Sequence, residues 1–194
     1  GALMHFMKKL FLLACVTWTA LGSAATNSPQ KLQTAQSHIL FVSKQMGVPV
    51  EGRFKSFDAQ IDFDPAKPDK AKISFSVDMA SATLGHKETD AELQKTDWFS
   101  TAQFAKAGFQ STAIKKTAPG KYEVSGKLSI KGLNQDLVVP VSLTQTGGLT
   151  TAVGSFAIKR LGFKIGDNEW SDTSIVADEV QVKFQFVLTG VAKL

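Results

Sequence analysis

The sequence predicts an all-β protein, an antiparallel eight-stranded barrel with one short inserted helix near its mouth. Three observations carry this. Apolar residues recur with period two along almost the whole chain, as in Ile73, Phe75, Val77 and Met79, or Val180, Val182, Phe184, Phe186 and Leu188. Successive strand side chains point to opposite faces, so each run buries one face and wets the other. Pro and Gly punctuate these runs at Asp64-Pro65, Pro119-Gly120, Gly132 to Asn134 and Gly147-Gly148, giving seven or eight strands without an internal repeat. The inward positions are rich in Phe and contain a single Tyr, a composition suited to a dry interior because a buried phenol needs a partner and a phenyl ring does not.

Taken in order, residues 26–31 form a polar lead-in and Ser37 to Met46 a first strand. The chain bends at Gly47 to Val50, and a long strand runs from Gly52 through Phe54, Phe57 and Ile61 to Phe63. The next strand spans Lys72 to Met79. There the rhythm breaks, and Thr89 with Glu92 has capping-box spacing, which predicts a short helix near Lys87 to Thr96 with Leu93 on its buried side. Strands resume at Gly108 to Ala113, at Tyr122 to Ile130 and at Leu137 to Leu143, and a turn-rich stretch from Gly162 to Asp172 precedes the final strand. Closure of the sheet would remove its sticky edges.

The N-terminus reads as an address. Residues 1–25 comprise a vector-derived scar or upstream start followed by a secretory signal: basic Met7-Lys8-Lys9, apolar Leu10 to Leu21, then small Ser23-Ala24-Ala25. Cleavage after Ala25 would leave residues 26–194 as a single domain in the periplasm, with the formal charge lowered from +5 to +3. A lipidated Cys15 is the competing reading of the leader. So weak a positive excess, without a basic stripe, argues against nucleic acid. The single cysteine lies in the leader, so the domain would hold no disulfide.

A barrel of this size either fills with side chains or holds one slender ligand. The inward candidates are Phe41, Phe54, Ile61, Phe63, Phe75, Val77, Phe109, Leu128, Val139, Val141, Phe156, Ile158, Val182 and Phe184. They are either core or the wall of an apolar lumen. Trp98 and Trp170 are either core plugs or lids, and Arg160, in the register of Phe156 and Ile158, must either pair with a carboxylate or meet a ligand head group. No catalytic residue stands out. His38 and His86 lack the neighbour that a helical metal pair needs, Asp62 and Asp64 are too few for a calcium site, and no nucleophile elbow, P-loop or dinucleotide fingerprint occurs. Neither a metal nor a cofactor is expected.

The segments Gly52-Arg53-Phe54, Ile61-Asp62-Phe63-Asp64-Pro65, Val77-Asp78-Met79-Ala80-Ser81, Asp90-Ala91-Glu92-Leu93 and Asp97-Trp98-Phe99 resemble the YceI-like family. So do Phe109 to Thr112, Gly126 to Gly132 and Phe156 to Arg160, in the family's order. Two departures stand at the mouth: Glu92 where many members have His, and Ala105 where many have Pro. The resemblance implies a lipocalin-like barrel that is exported and holds a long isoprenoid, isoprenoid quinone or similar lipid, as a monomer or homodimer with transient membrane contact. It also implies roles in stress response and quinone handling. The alternatives are a lipid-modifying or hydrolytic enzyme using Glu92 or His86 at the mouth, and a solid barrel that docks a protein partner.

Overall fold

The computed structural model describes residues 29–194, so the predicted signal peptide, its expected cleavage point and Cys15 lie outside the described residues. Eleven strands form one antiparallel sheet: β1 (Lys31–Leu32), β2 (His38–Gln45), β3 (Val48–Phe54), β4 (Phe57–Asp62), β5 (Lys72–Asp78), β6 (Ala82–Thr83), β7 (Lys106–Ala118), β8 (Lys121–Ile130), β9 (Leu133–Thr146), β10 (Leu149–Lys159) and β11 (Glu179–Thr189). Their order is β4-β5-β7-β8-β9-β10-β11-β2-β3-β6, with β1 added beside β11.

The count is eleven rather than eight because two long strands are each cut by a kink and the two-residue β1 adds to β11 outside the main strand order. β3 and β4 are one run of chain broken at Lys55-Ser56, and β5 and β6 are one run broken by a 3₁₀ turn at Met79–Ser81. The two kinks face each other. The Asp78 carboxylate accepts from Ala80 N–H at 3.2 Å and caps the turn. Ser81 carbonyl accepts Lys55 N–H at 3.2 Å, and its Oγ accepts Ser56 N–H at 3.0 Å. Each kink therefore satisfies the backbone groups that the other leaves unpaired. Phe54 opposes Ala82 on one side of the kink and Phe57 opposes Val77 on the other, so the curled sheet brings its two ends together.

Elsewhere the wall parts. β10 pairs with β9 only from Leu149 to Gly154, opposite Thr146 to Val141. Pro140, next in line, has no N–H to donate, and the strands separate beyond it.

The helix α1 spans Lys87–Leu93 and begins before the predicted capping box. His86 occupies the N-cap without a side-chain bond, and Thr89 lies inside the first turn, its hydroxyl donating to His86 carbonyl at 2.9 Å. Glu88 and Asp90 in the first turn complement the helix dipole. Asp90 accepts from Thr83 Oγ1 at 2.6 Å and from Leu84 N–H at 2.7 Å, tying α1 to β6. These bonds hold its carboxyl below the usual carboxylate range. Leu93 is buried, as its spacing predicts.

One end of the sheet is plugged. Leu93 and Phe99 from the helical segment meet Phe163 and Ile165 from the 160–178 connection, and Phe163 is wholly buried. Hydrogen bonds join the two pieces: Gly166 and Asp167 N–H both donate to Asp97 carbonyl at 2.8 Å, and Asn168 Nδ2 donates to Asp97 Oδ1 at 2.6 Å. Lys131 Nζ, from the β8–β9 turn, donates to Lys164 carbonyl at 2.6 Å and Thr96 carbonyl at 3.2 Å.

Candidate ligand-binding lumen

The sheet encloses an apolar cavity of about 200 Å³. Its wall takes inward side chains from most of the strands, running from Met79, Ala107, Ile130 and Ile158 beside the plug to Phe63, Leu143, Leu188 and Val191 at the far end. Lining residues on β8 extend from Tyr122 to Ile130 and on β10 from Thr150 to Ile158. At about 3.3 Å per residue and a strand tilt of about 40°, those runs make the cavity about 20 Å long. Spreading its volume over that length leaves a bore of about 6 Å once the radius of water is added, room for a single extended hydrocarbon chain.

Seven phenylalanines shape this bore: Phe54, Phe63, Phe75, Phe109, Phe156, Phe184 and Phe186. Phe75 stacks on Phe186 at 4.3 Å, Phe186 on Phe184 at 4.9 Å, and Phe184 tilts against Phe156 at 6.5 Å, a continuous aromatic strip along the wall. Strand glycines set the height of three rings. A Cβ on Gly52, Gly126 or Gly154 would collide with Phe41, Phe109 or Phe184 respectively, so these rings lie directly over bare backbone.

Of the inward candidates, Phe54, Ile61, Phe63, Phe75, Val77, Phe109, Leu128, Val139, Val141, Phe156, Ile158, Val182 and Phe184 line the cavity. Four residues singled out from the sequence lie off the wall. Phe41 is buried over Gly52 and packs at 5.2 Å on Phe54, which lines the cavity where Phe41 does not. Trp98 packs on the plug and tilts against Trp170 at 5.6 Å, and neither lines the cavity.

Arg160 meets neither a carboxylate nor the lumen. It is 1% exposed, and all five of its N–H groups are spent on carbonyls of the 160–178 connection. Nε donates to Ala177 at 3.0 Å, Nη1 to Ile165 at 2.9 Å and Gly166 at 2.7 Å, and Nη2 to Trp170 at 2.7 Å and Val176 at 2.6 Å. The inward register of β10 ends at Lys159, where the chain enters a 3₁₀ turn, so alternation no longer governs the direction of Arg160. Burial lowers its pKa, and nearby Asp178 opposes that shift. The guanidinium is a structural core for a connection that has little other secondary structure.

Phe186, Ile73, Met79 and Tyr122, from the same period-two runs, also line the wall. So does Thr150, which the rhythm does not reveal because the polar pair Thr150-Thr151 follows Leu149 at the start of its strand. Val191 joins the wall beyond β11, after Gly190 turns the chain at φ +81°. Burial raises the pKa of the Tyr122 phenol. Among the described residues no group of three His, Cys, Asp or Glu side chains is placed to hold a metal. Asp64 instead accepts Ala66 N–H at 2.9 Å within its own turn.

A curled antiparallel sheet with one short helix, wrapped around a narrow lumen with an apolar lining, places the molecule among β proteins of lipocalin-like build. The chain belongs to the YceI-like domain family, whose model matches residues 30–188. It is 28% identical over 171 residues to a UPF0312 protein of Shewanella baltica strain OS185, covering 82% of this chain and 90% of that one. The crystal structure of Burkholderia cenocepacia BcnA is similar with a TM-score of 0.79 and 45% identity, covering 81% of this chain and 99% of that one. A polyisoprenoid binding domain from Saccharophagus degradans shares the fold at a TM-score of 0.68 with 15% identity, over 84% of this chain and 98% of that one.

Proposed function

We propose that this protein is an exported periplasmic binding protein that sequesters or carries a long apolar amphiphile, such as a polyisoprenoid or an isoprenoid quinone, in its Phe-lined lumen. The observation that carries the reading is the cavity itself, about 20 Å long by strand rise, one chain wide and without a charged side chain on its wall. The polyisoprenoid-binding description of the Saccharophagus degradans domain supports the same class of ligand. Burial of about ten methylene groups supplies about 8 kcal/mol before the costs of association. The protein acts by binding rather than catalysis and uses no cofactor, as a monomer or homodimer that touches the membrane transiently to load or unload.

Extraction of the purified native protein followed by mass spectrometry tests this. A long-chain lipid near one equivalent is the expected result, and its loss in Val141→Asp, which places a lone charge on the wall, is the expected control. A folded native protein free of lipid, which also fails to take up any long-chain lipid offered from vesicles, would refute it.

A further inference from the structure

The lumen is covered at both ends, and the two covers are held differently. At the end opposite α1, Phe63, Tyr122, Thr150 and Leu188 stand near the ends of their strands, yet each is buried. Two short pieces of chain meet there. Residues 29–32 run in beside β11, and Gln30 bridges across: its Nε2 donates to Gly190 carbonyl at 3.2 Å and its Oε1 accepts Phe63 N–H at 2.9 Å. Residues 190–194 leave the sheet where β11 ends at Thr189. Gly190, at φ +81°, turns them, and Val191 joins the lumen wall beside the cluster of Phe63, Ile114, Tyr122 and Val124.

One side chain fastens this strap. Gln145 continues the inward register of Val139, Val141 and Leu143 on β9, where the alternation would place an apolar residue. Its amide is spent on the strap: Nε2 donates to Ala192 carbonyl at 2.7 Å and Oε1 accepts Leu194 N–H at 3.0 Å. A third bond, from Nε2 to Thr150 Oγ1 at 3.1 Å, aims the amide from the strand that Gln145 faces. The opposite cover is held far more firmly. There Phe163 is wholly buried, Arg160 donates five hydrogen bonds, and Gly166, Asp167 and Asn168 all donate to Asp97. In the strap, Ala192 and Lys193 are exposed and Val191 and Leu194 are half-buried. A segment so lightly buried and so lightly bonded opens at a smaller cost than the plug.

We propose that residues 190–194 are the gate of the lumen, hinged at Gly190 and latched by Gln145, and that lipid enters and leaves at this end. Gly190 suits a hinge because its positive φ is open to glycine at no steric cost, and a Cβ there would lie 2.5 Å from Pro29 carbonyl. Swinging the strap away breaks the two Gln145 bonds and lifts Val191 off the wall, which uncovers the bore without disturbing the strand ladder. The plug beside α1 stays shut. This rests on the lipid-binding reading above and adds the route by which the lipid is exchanged.

The test follows a tritiated polyprenol as it passes between the full chain and phosphatidylcholine vesicles, with uptake, release and the final partition all measured. Gln145→Leu removes the latch and keeps a side chain of similar length. Uptake and release should both become about tenfold faster, the worth of two neutral, partly exposed hydrogen bonds, while the partition stays within about threefold of the parent. A gate changes both rates together; a wall residue changes the partition. Residues 26–194 contain no cysteine, so Gln145→Cys with Ala192→Cys can be joined by a short thiol crosslinker. The joined form should exchange at least about tenfold more slowly than the same variant left open. Asn168→Ala, which loosens the plug from Asp97, should leave both rates as they are. Unchanged rates in Gln145→Leu, a shifted partition in place of faster rates, undiminished exchange after crosslinking, or faster exchange in Asn168→Ala would each overturn the proposal. If the parent takes up no polyprenol, the lipid-binding reading fails with it, a result distinct from uptake that ignores the strap.

Discussion

Replacing Arg160 with Leu should destabilise the protein more than any substitution on the lumen wall. The side chain is 1% exposed and donates five hydrogen bonds, all to backbone carbonyls between Ile165 and Ala177. Leu removes every donor and leaves five acceptors behind. Each buried, unsatisfied group costs about 1–3 kcal/mol. The full sum is not reached, because a connection of this length can open and let water in, and single substitutions seldom exceed about 4–5 kcal/mol. We therefore expect a loss of about 4 kcal/mol, or a fall in Tm of about 8–16 °C at 2–4 °C per kcal/mol. Arg160→Lys keeps the charge but offers three donors without the planar fork, so it should lose about half as much. Urea unfolding measures the loss, and amide exchange at residues 163–176 locates it. A loss below about 1 kcal/mol with unchanged exchange would show that the five bonds are incidental to the connection's structure.

Trp98→Ala should lower stability by about 2–3 kcal/mol and leave the rate of lipid release unchanged, since Trp98 packs on Trp170 in the plug and stands off the wall; unfolding curves beside release kinetics decide it. Gly154→Ala should displace the Phe184 ring and weaken both stability and lipid uptake, read by near-ultraviolet circular dichroism and lipid titration. The pKa of Tyr122 is raised on folding, so its contribution to stability is complete below the ordinary phenol value of about 10 and declines as pH rises from there through the folded value. Tyr122→Phe should abolish that part of the alkaline loss in unfolding measured against pH. The pKa of Asp90 is depressed, so its contribution is present above the ordinary carboxylate value and disappears as pH falls through the folded one. The stability gap between the parent and Asp90→Asn should close over that acidic range.

Much of this protein was determined by local chemistry. Period-two runs fixed the strand character and the inward side of thirteen of the wall residues, because alternation is a property of the strand itself and needs no partner to read. Turn residues located the hairpins for the same reason. The resemblance in ordered motifs pointed to the family that its model later matched. The strand count depended on Ser81 meeting Lys55 and Ser56, residues more than twenty positions apart, and a kink shared between two strands leaves no local rhythm. Type and register left Phe41, Trp98, Trp170 and Arg160 open between core and lumen. Tertiary structure placed them off the wall, since a ring packed on its neighbour and a guanidinium turned into its own connection are settled by what folds over them. The same holds for Tyr122. Its place on an inward register was legible in the strand pattern, but that its hydroxyl would be buried without a partner was settled only by the residues that fold around it.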